Sequence, residues 1–175
     1  MKTLQELFLD GLADMNYVEN QMIKALSKMA KAATHDDLRE TFVAHLLETE
    51  GHIRKVKRIF ELFGKPSKNK KCPAIVGLIK EANEIASENK KSPTLNAALI
   101  FAAQKVEHYE IASYGGLREW ARQLQNEDAA TLLEEILQEE KSADNKLTDL
   151  AETHFNISAQ IGDDVESECP FARAA

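Results

Sequence analysis

The chain has 175 residues and a net charge of −7, so it is long enough for one domain with a substantial core, and its acidity excludes a broad nucleic-acid-binding face. Seven Gly, four Pro and 6% aromatic residues are few, which is typical of long helices and predicts an all-α protein. Residues 1–10 lack a signal-peptide pattern, and no stretch approaches the roughly 20 apolar residues of a membrane span. We therefore expect a cytoplasmic protein without nucleic-acid or membrane partners.

The first predicted helix carries an acidic residue on its apolar face. Its apolar residues recur at alternating steps of three and four, and Glu19 occupies the one polar position of that series. Thr34 then resembles an N-cap, with Asp37 placed as in a capping box, so the connection to the next helix is predicted to be very short. The apolar positions are Leu4, Phe8, Leu12, Met15, Met22, Leu26 and Met29.

The second helix is predicted from about Asp36 to Phe63, and its inward face is polar at the centre. His45 and His52 lie in register with the apolar residues of this helix, and Glu48 lies within about one turn of both histidines. A shorter amphipathic segment follows near Pro73 to Glu88. We predict that this segment is a crossover helix.

The third long helix is predicted from about Pro93 to Leu124. Ser92 and Pro93 form a favoured pair for the N-cap and the first helical position. Glu107 falls on the inward face of this helix, and Glu110 lies close to the same face because residues three apart are neighbours on a helix. This helix therefore contributes a pair of carboxylates.

The fourth long helix is predicted from about Glu127 to His154, with Glu140 and Asp144 one turn apart on one face. A tight turn separates it from the third helix, and a polar segment follows it. We therefore assign residues 1–155 to one bundle domain. Residues 156–175 are predicted to form a flexible tail or a dimer arm.

The lengths of the connections predict the topology. Two hairpins with short turns are joined by a crossover of about 30 residues, which is the ferritin-like form of the four-helix bundle, here with a short fifth helix in the crossover. The polar positions lie near the middle of all four long helices. Because antiparallel neighbours share their midpoints, these positions are predicted to lie at one depth.

The polar positions at this depth predict a metal site. A carboxylate in an apolar interior costs several kcal/mol unless a cation compensates its charge, and one per helix favours a shared pair of divalent ions. Oxygen-rich sites with few histidines favour iron, with manganese as the alternative, and we expect two ions per chain. Whether one or both histidines bind metal stays open. The predicted ligands are Glu19, His45, Glu48, His52, Glu107, Glu110, Glu140 and Asp144.

Several other reactive side chains are assigned simpler roles. Acidic residues outside these positions are expected to face solvent, and tyrosines to contribute packing, with a redox role as the alternative. The two cysteines are far apart and unlike a metal-binding CxxC pair, so free thiols are expected. These residues are Glu50, Glu134, Glu135 and Glu139; Tyr17, Tyr109 and Tyr114; and Cys72 and Cys169.

Four separated blocks carry a family resemblance, which covers about Leu4 to Ala151. The blocks are QKVEHYEIASYG from Gln104, HLLETEG from His45, KKCPAIVGLIKEAN from Lys70 and EEKSADNKLTDLA from Glu139. Together they resemble the YciE/YciF family of ferritin-like stress proteins. The resemblance implies a ferritin-like bundle, usually a homodimer, with a di-metal site, and it runs through His45 and Glu48 more than through His52.

The carboxylate pair Glu107 and Glu110 is also similar to the rubrerythrin arrangement. The rubredoxin module of that family, with its paired CxxC iron ligands, is absent from this sequence, which implies an external electron donor. We expect a stress-response protein that reduces peroxide or oxygen, or oxidises ferrous iron. The alternatives are a non-catalytic helical dimer with a structural or interaction role and, less favoured by these residues, a storage cage.

Overall fold

A computed structural model describes residues 1–161, and this part of the chain contains helices and no strand. It confirms the predicted all-α, ferritin-like bundle with a helix in the crossover. A π-helical turn, Ala151–Phe155, separates the last two α-helices. The α-helices are α1 (Leu4–Ala32), α2 (Asp36–Leu62), α3 (Pro73–Glu88), α4 (Leu95–Gln123), α5 (Glu127–Leu150) and α6 (Asn156–Ile161).

The first helix follows the predicted stripe closely. Its start is fixed by a capping box in which the Thr3 hydroxyl accepts from the Glu6 amide, and the Glu6 carboxylate accepts from the Thr3 amide. The apolar positions from Phe8 to Met29 are buried, and Glu19 is buried among them. The sequence pattern thus places one carboxylate inside the bundle.

The four long helices form a square in which every neighbouring pair is antiparallel. The α1 helix packs on α2 and α4, and α5 packs on the same two helices. Along α1 and α4, Gly11 lies against Leu117 near one end and Thr34, just after α1, bonds to Asn96 near the other. Mid-helix residues of all four helices therefore lie at a common depth.

Hydrogen bonds connect the extended part of the crossover, before α3, to the outside of α1. The buried Asn16 donates through Nδ2 to the Lys68 carbonyl oxygen over 2.9 Å and to the Ser67 hydroxyl over 3.1 Å. The Lys70 amide donates to the Ala13 carbonyl oxygen over 3.0 Å. These bonds hold the extended chain against α1 before α3 begins, and α3 then covers α4.

We expect Asn16→Ala to lower the free energy of unfolding by about 1–3 kcal/mol, because it removes two hydrogen bonds from a buried amide. Chemical denaturation monitored by circular dichroism measures this loss. The matched control is Asn20→Ala, since Asn20 is exposed and lies one turn further along the same helix. A loss no larger than that of the control contradicts the role given to Asn16.

The N-cap of α2 and the start of α4 differ from those predicted. The N-cap of α2 is His35, whose Nδ1 accepts from the Asp37 amide, because the Thr34 side chain instead bonds to Asn96 of α4. Ser92 does not cap a helix at Pro93. Its hydroxyl accepts from the Thr94 amide in a turn, and α4 begins at Leu95.

The helical path continues beyond the predicted domain boundary at residue 155. After the π-helical turn, which buries Ala151 and Phe155, α6 runs from Asn156 to Ile161 where a polar tail was predicted. The rest of the predicted tail, including Cys169, lies outside the described residues. Among residues 1–161, none of the helices combines the length and the hydropathy that crossing a bilayer requires.

Candidate metal centre

Six ionisable side chains from all four long helices meet at the middle of the bundle. Two come from α2 and two from α4, while α1 and α5 contribute one each. All six are buried, and none exceeds 5% exposure. They are Glu19, His45, His52, Glu107, Glu110 and Glu140.

These side chains form two overlapping groups, and in each group the potential ligand atoms lie within 4.8 Å of one another. The His45 group also contains Glu107, Glu110 and Glu140. The His52 group consists of His52, Glu19 and Glu140. Glu140 therefore belongs to both groups.

The imidazole of His45 presents one nitrogen to its group and the other to the edge of the bundle. Nε2 lies 3.2 Å from Glu107 Oε2 and 3.4 Å from Glu140 Oε2. Nδ1 lies 3.1 Å from Oε2 of Glu48, a partly exposed residue on the same helix. The ring thus connects the buried acids with a carboxylate at the surface.

His52 is arranged in the same way with its nitrogens exchanged. Nδ1 lies 3.0 Å from Glu140 Oε1 and 3.6 Å from Glu19 Oε2. Nε2 is hydrogen bonded over 2.8 Å to Oε2 of Glu139, and Oε1 of Glu139 accepts from Lys55 Nζ over 2.9 Å. One nitrogen of each histidine therefore remains directed at the acids of the cluster.

Seven polar atoms of the cluster lack a well-aligned hydrogen-bond partner among residues 1–161. Such atoms are rare in protein interiors, because a buried polar group without a partner costs free energy. His45 Nε2 and His52 Nδ1 lie 3.0–3.6 Å from carboxylate oxygens of the cluster, but these contacts are not hydrogen bonds. The atoms are Glu19 Oε2, His52 Nδ1, Glu107 Oε1 and Oε2, Glu110 Oε1, and Glu140 Oε1 and Oε2.

The same crowding shifts the proton equilibria of the cluster. Burial raises the pKa of the Glu140 carboxyl to about 8, although the contact with His52 opposes this shift. Burial, with the charges of Glu140 and Glu19, raises the pKa of Glu110 well above its ordinary value. Burial disfavours the charged form of His52, but the contacts with Glu140 and Glu19 outweigh it and raise its pKa to about 10. Without a cation, the cluster therefore holds protons at neutral pH.

The donor set fits two divalent cations. Four ionised carboxyl groups and two neutral imidazoles carry a charge of −4, which two divalent ions neutralise. Carboxylate oxygens with imidazole nitrogens suit iron or manganese. The unpartnered atoms are the ones such ions would contact. The His45 group offers four potential ligand residues, and the His52 group offers three.

Two of the eight predicted ligands lie outside both groups. Glu48 is 31% exposed in its side chain and contacts His45 at the edge of the bundle. Asp144 lies on the flank facing α4, where it accepts from Gln104 Nε2 over 3.2 Å and lies 3.3 Å from His108 Nε2. The buried residue one turn after Glu140 is Ala143, since the inward face takes the three-residue step there.

Two residues contact the cluster although the sequence analysis did not place them at the metal site. Glu139, which the sequence predicts to face solvent, bonds to His52 across the seam between α2 and α5. Tyr114 is fully buried, and its hydroxyl donates to Glu19 Oε1 from α4. Both contacts join different helices, so no spacing within one helix reveals them. Tyr109 lies 3.1 Å from the buried thiol of Cys72.

We expect Tyr114→Phe to lower the free energy of unfolding of the metal-free protein by about 1–3 kcal/mol. The substitution leaves one more oxygen of the buried Glu19 carboxyl without a partner. Thermal and chemical denaturation measure the effect. Tyr17→Phe is the control, because Tyr17 is half-buried and packs against the core, and an equal loss in both variants contradicts the assigned bond.

The fold and the cluster together define a ferritin-like bundle with a buried carboxylate and histidine centre. The chain belongs to the family described as Domain of unknown function (DUF892), whose pattern matches residues 3–160. It is 47% identical over 161 residues to Protein YciF of Escherichia coli (strain K12), covering 91% of this chain and 97% of that protein. The resemblance to the YciE/YciF family is therefore confirmed.

Solved structures agree with this assignment. The crystal structure of the E. coli stress protein YciF matches with a TM-score of 0.85 and 47% identity, over 89% of this chain and 99% of that one. The protein YcfI of Rhodopseudomonas palustris matches with a TM-score of 0.80 and 44% identity, over 84% of this chain and 94% of that one. A protein of Xanthomonas campestris is 22% identical with a TM-score of 0.71, over 90% of this chain and 96% of that one, and shows the fold alone.

Proposed function

We propose that this protein is a stress-response protein with a di-iron centre, or a di-manganese centre, in the middle of its bundle. It reduces peroxide or oxygen, or oxidises ferrous iron. The observation that carries the proposal is the convergence of seven unpartnered buried atoms from four helices on one place. Such an arrangement is costly for a purely structural core, and cations relieve the cost.

The residues divide naturally between the two ions. His45, Glu107 and Glu110 would hold one ion, Glu19 and His52 the other, and Glu140 would contact both. Two ferrous ions bound there would supply the two electrons that, together with two protons, convert hydrogen peroxide to two water molecules.

The remaining contributions come from the protein itself. Met15 and Met22, which flank Glu19 along α1, are buried and exclude bulk water from the cluster. Tyr114 holds Oε1 of Glu19, so that Oε2 faces the centre. Burial raises the pKa of Glu110, so in the absence of cations this carboxyl keeps its proton to a higher pH than an exposed glutamate does. These groups thus control water, orientation and protons at the site.

The relatives support the stress role, since the E. coli protein that is 47% identical to this chain is described as a stress protein. A second candidate is a non-catalytic helical dimer. It is favoured by the description of the Rhodopseudomonas palustris relative, which suggests a structural role for that protein. In that case the acids of the cluster would be neutralised by protons and by His45 and His52 rather than by metal.

Metal content distinguishes the two candidates. Untagged protein purified without chelator is analysed by elemental mass spectrometry, before and after anaerobic loading with ferrous iron. We expect about two iron or manganese ions per chain. The loaded protein is then assayed for peroxide consumption and for ferrous oxidation faster than buffer. An absence of bound metal after loading supports the structural candidate, whereas bound metal without either reaction removes the enzymatic part of the proposal.

The proposal includes a homodimer in the cytoplasm and, for a redox reaction, an external electron donor. These features follow from the family resemblance and from the composition. Sedimentation velocity tests the dimer directly. A single species with the mass of one 19.6 kDa chain at micromolar concentration contradicts it.

A further inference from the structure

Each histidine of the cluster is held from outside by a carboxylate that belongs to neither ligand group. Glu139 of α5 holds Nε2 of His52, and Glu48 of α2 holds Nδ1 of His45. The two histidines use opposite nitrogens, yet the result is the same. In both rings the outer nitrogen faces a carboxylate and the inner nitrogen faces the buried acids.

The outer carboxylates are themselves anchored by lysines. Glu139 accepts from Lys55 Nζ over 2.9 Å and 3.0 Å, one contact to each carboxylate oxygen. Lys146 Nζ of α5 lies 3.7 Å from Oε1 of Glu48. Each histidine is thus the inner end of a chain from lysine to carboxylate to imidazole, which crosses the seam between α2 and α5.

An imidazole that binds a cation through one nitrogen carries its proton on the other. A carboxylate that accepts this N–H fixes the ring orientation and increases the basicity of the binding nitrogen. Glu48 and Glu139 therefore occupy the outer nitrogens of the two histidines, which leaves the inner nitrogen of each ring directed towards one ligand group. Removing such a partner typically weakens metal binding about 10- to 100-fold.

We propose that Glu48 and Glu139 are positioning residues, each for one ion: Glu48 acts through His45 on the ion of the His45 group, and Glu139 acts through His52 on the ion of the His52 group. This inference rests on the proposed function, since it concerns the same centre. The sequence predicts Glu48 to be a metal ligand, whereas in this inference Glu48 acts on the ion through His45.

Both residues lie where substitution leaves the core intact. They line an open cavity of about 540 Å³ on the outer side of the seam, together with Glu135. Their side chains are 31% and 39% exposed, so smaller side chains there leave no void inside the bundle. Effects on metal binding are then separable from effects on folding.

The test is a titration of the metal-free protein with Mn²⁺, in which free ion is followed by electron paramagnetic resonance. We expect two ions in the wild type, and in Glu139→Ala one of them bound about 10- to 100-fold more weakly with the other unchanged. Glu139→Gln retains an acceptor oxygen and is expected to lose less. The control is Glu135→Ala, because Glu135 also lies 3.3 Å from Lys55 but belongs to neither histidine contact.

Glu48→Ala is the companion variant, with the exposed Glu50→Ala as its control. This variant is expected to weaken the binding of one ion, and the double variant with Glu139→Ala is expected to weaken the binding of both. Both variants are expected to lower the stability of the metal-free protein, because each removes the partner of a nitrogen on a buried histidine. Binding is therefore compared at a temperature at which circular dichroism shows every variant to be folded.

The outcomes separate the inference from the proposed function. If the wild type binds no Mn²⁺ or iron, the proposed function fails. If the wild type binds two ions and the Glu139 and Glu48 variants bind them equally well, the inference alone is overturned. It is also overturned if either single variant weakens the binding of both ions equally.

Discussion

Glu140→Ala is expected to abolish iron binding at both positions, with the iron content falling from about two ions per chain to near zero. The reason is that Glu140 belongs to both ligand groups, while the other ligands belong to one. Its removal leaves the His52 group with two residues, Glu19 and His52. Elemental mass spectrometry after anaerobic ferrous loading measures the loss.

A graded series makes this expectation specific. Glu19→Ala is expected to lose one ion, because Glu19 belongs to the His52 group alone. Asp144→Ala is expected to retain both, since Asp144 faces Gln104 and His108 on the flank. Retention of two ions by Glu140→Ala, or loss of both in Asp144→Ala, contradicts these ligand assignments.

The second large effect is a gain in thermal stability on metal binding that grows with pH. An ion present at 100 times its dissociation constant stabilises the folded state by about 2.7 kcal/mol. For a domain of this size, that gain raises the melting temperature by about 5–10 °C. Differential scanning calorimetry at pH 6 and pH 8, with and without Mn²⁺, measures it.

The sign of the pH dependence follows from the shifted groups. The pKa of Glu140 is raised to about 8, so between its ordinary value and 8 the folded state keeps a proton that the unfolded state loses. The pKa of His52 is raised to about 10, so its stabilising effect is present below its ordinary value and is lost as the pH rises towards 10. Both groups make the metal-free protein less stable as the pH rises from 6 to 8.

Metal binding reverses this trend, because ions displace the same protons and therefore bind more tightly at higher pH. The difference between loaded and metal-free melting temperatures is thus expected to be larger at pH 8 than at pH 6. Glu140→Gln is the control and is expected to show little difference at either pH. A gain that is equal at both pH values, or larger at pH 6, contradicts the proton displacement.

The fold was predictable because the helical pattern is strong. Apolar steps of three and four define the inward faces, and short turns between paired helices leave few arrangements for a long crossover. The capping residues were less predictable, since tertiary contacts decided them. Thr34 bonds to Asn96 of another helix instead of capping its own.

The sequence placed the candidate site on the right part of each helix, but along a helix it was accurate only to about one residue. The stripe of α2 correctly includes His45 and His52, but Glu48 lies one position off that stripe and reaches only the edge. On α5, a four-residue step from Glu140 gives Asp144, whereas the buried neighbour is three residues on. Spacing alone does not decide between these steps, because both place residues on roughly the same face.

The contacts between helices were not predictable from spacing. Glu139 looks like a solvent-facing neighbour of Glu140 until α2 is packed beside it and brings His52 within 2.8 Å. Tyr114 similarly needs α1 beside α4 before its hydroxyl finds Glu19. Residues of this kind become visible only when the mutual rotation and depth of the helices are known.

The mid-length position of the cluster also bears on how its contents exchange with solvent. Glu19 lies about 20 Å from either end of α1, which spans Leu4–Ala32. Fraying opens the last turn or two of a helix and leaves the middle closed until larger units unfold. Any ion held at the centre would therefore leave by side-chain motion across the α2–α5 seam or by rare opening of the bundle. Fraying of the helix ends would not change its rate of dissociation.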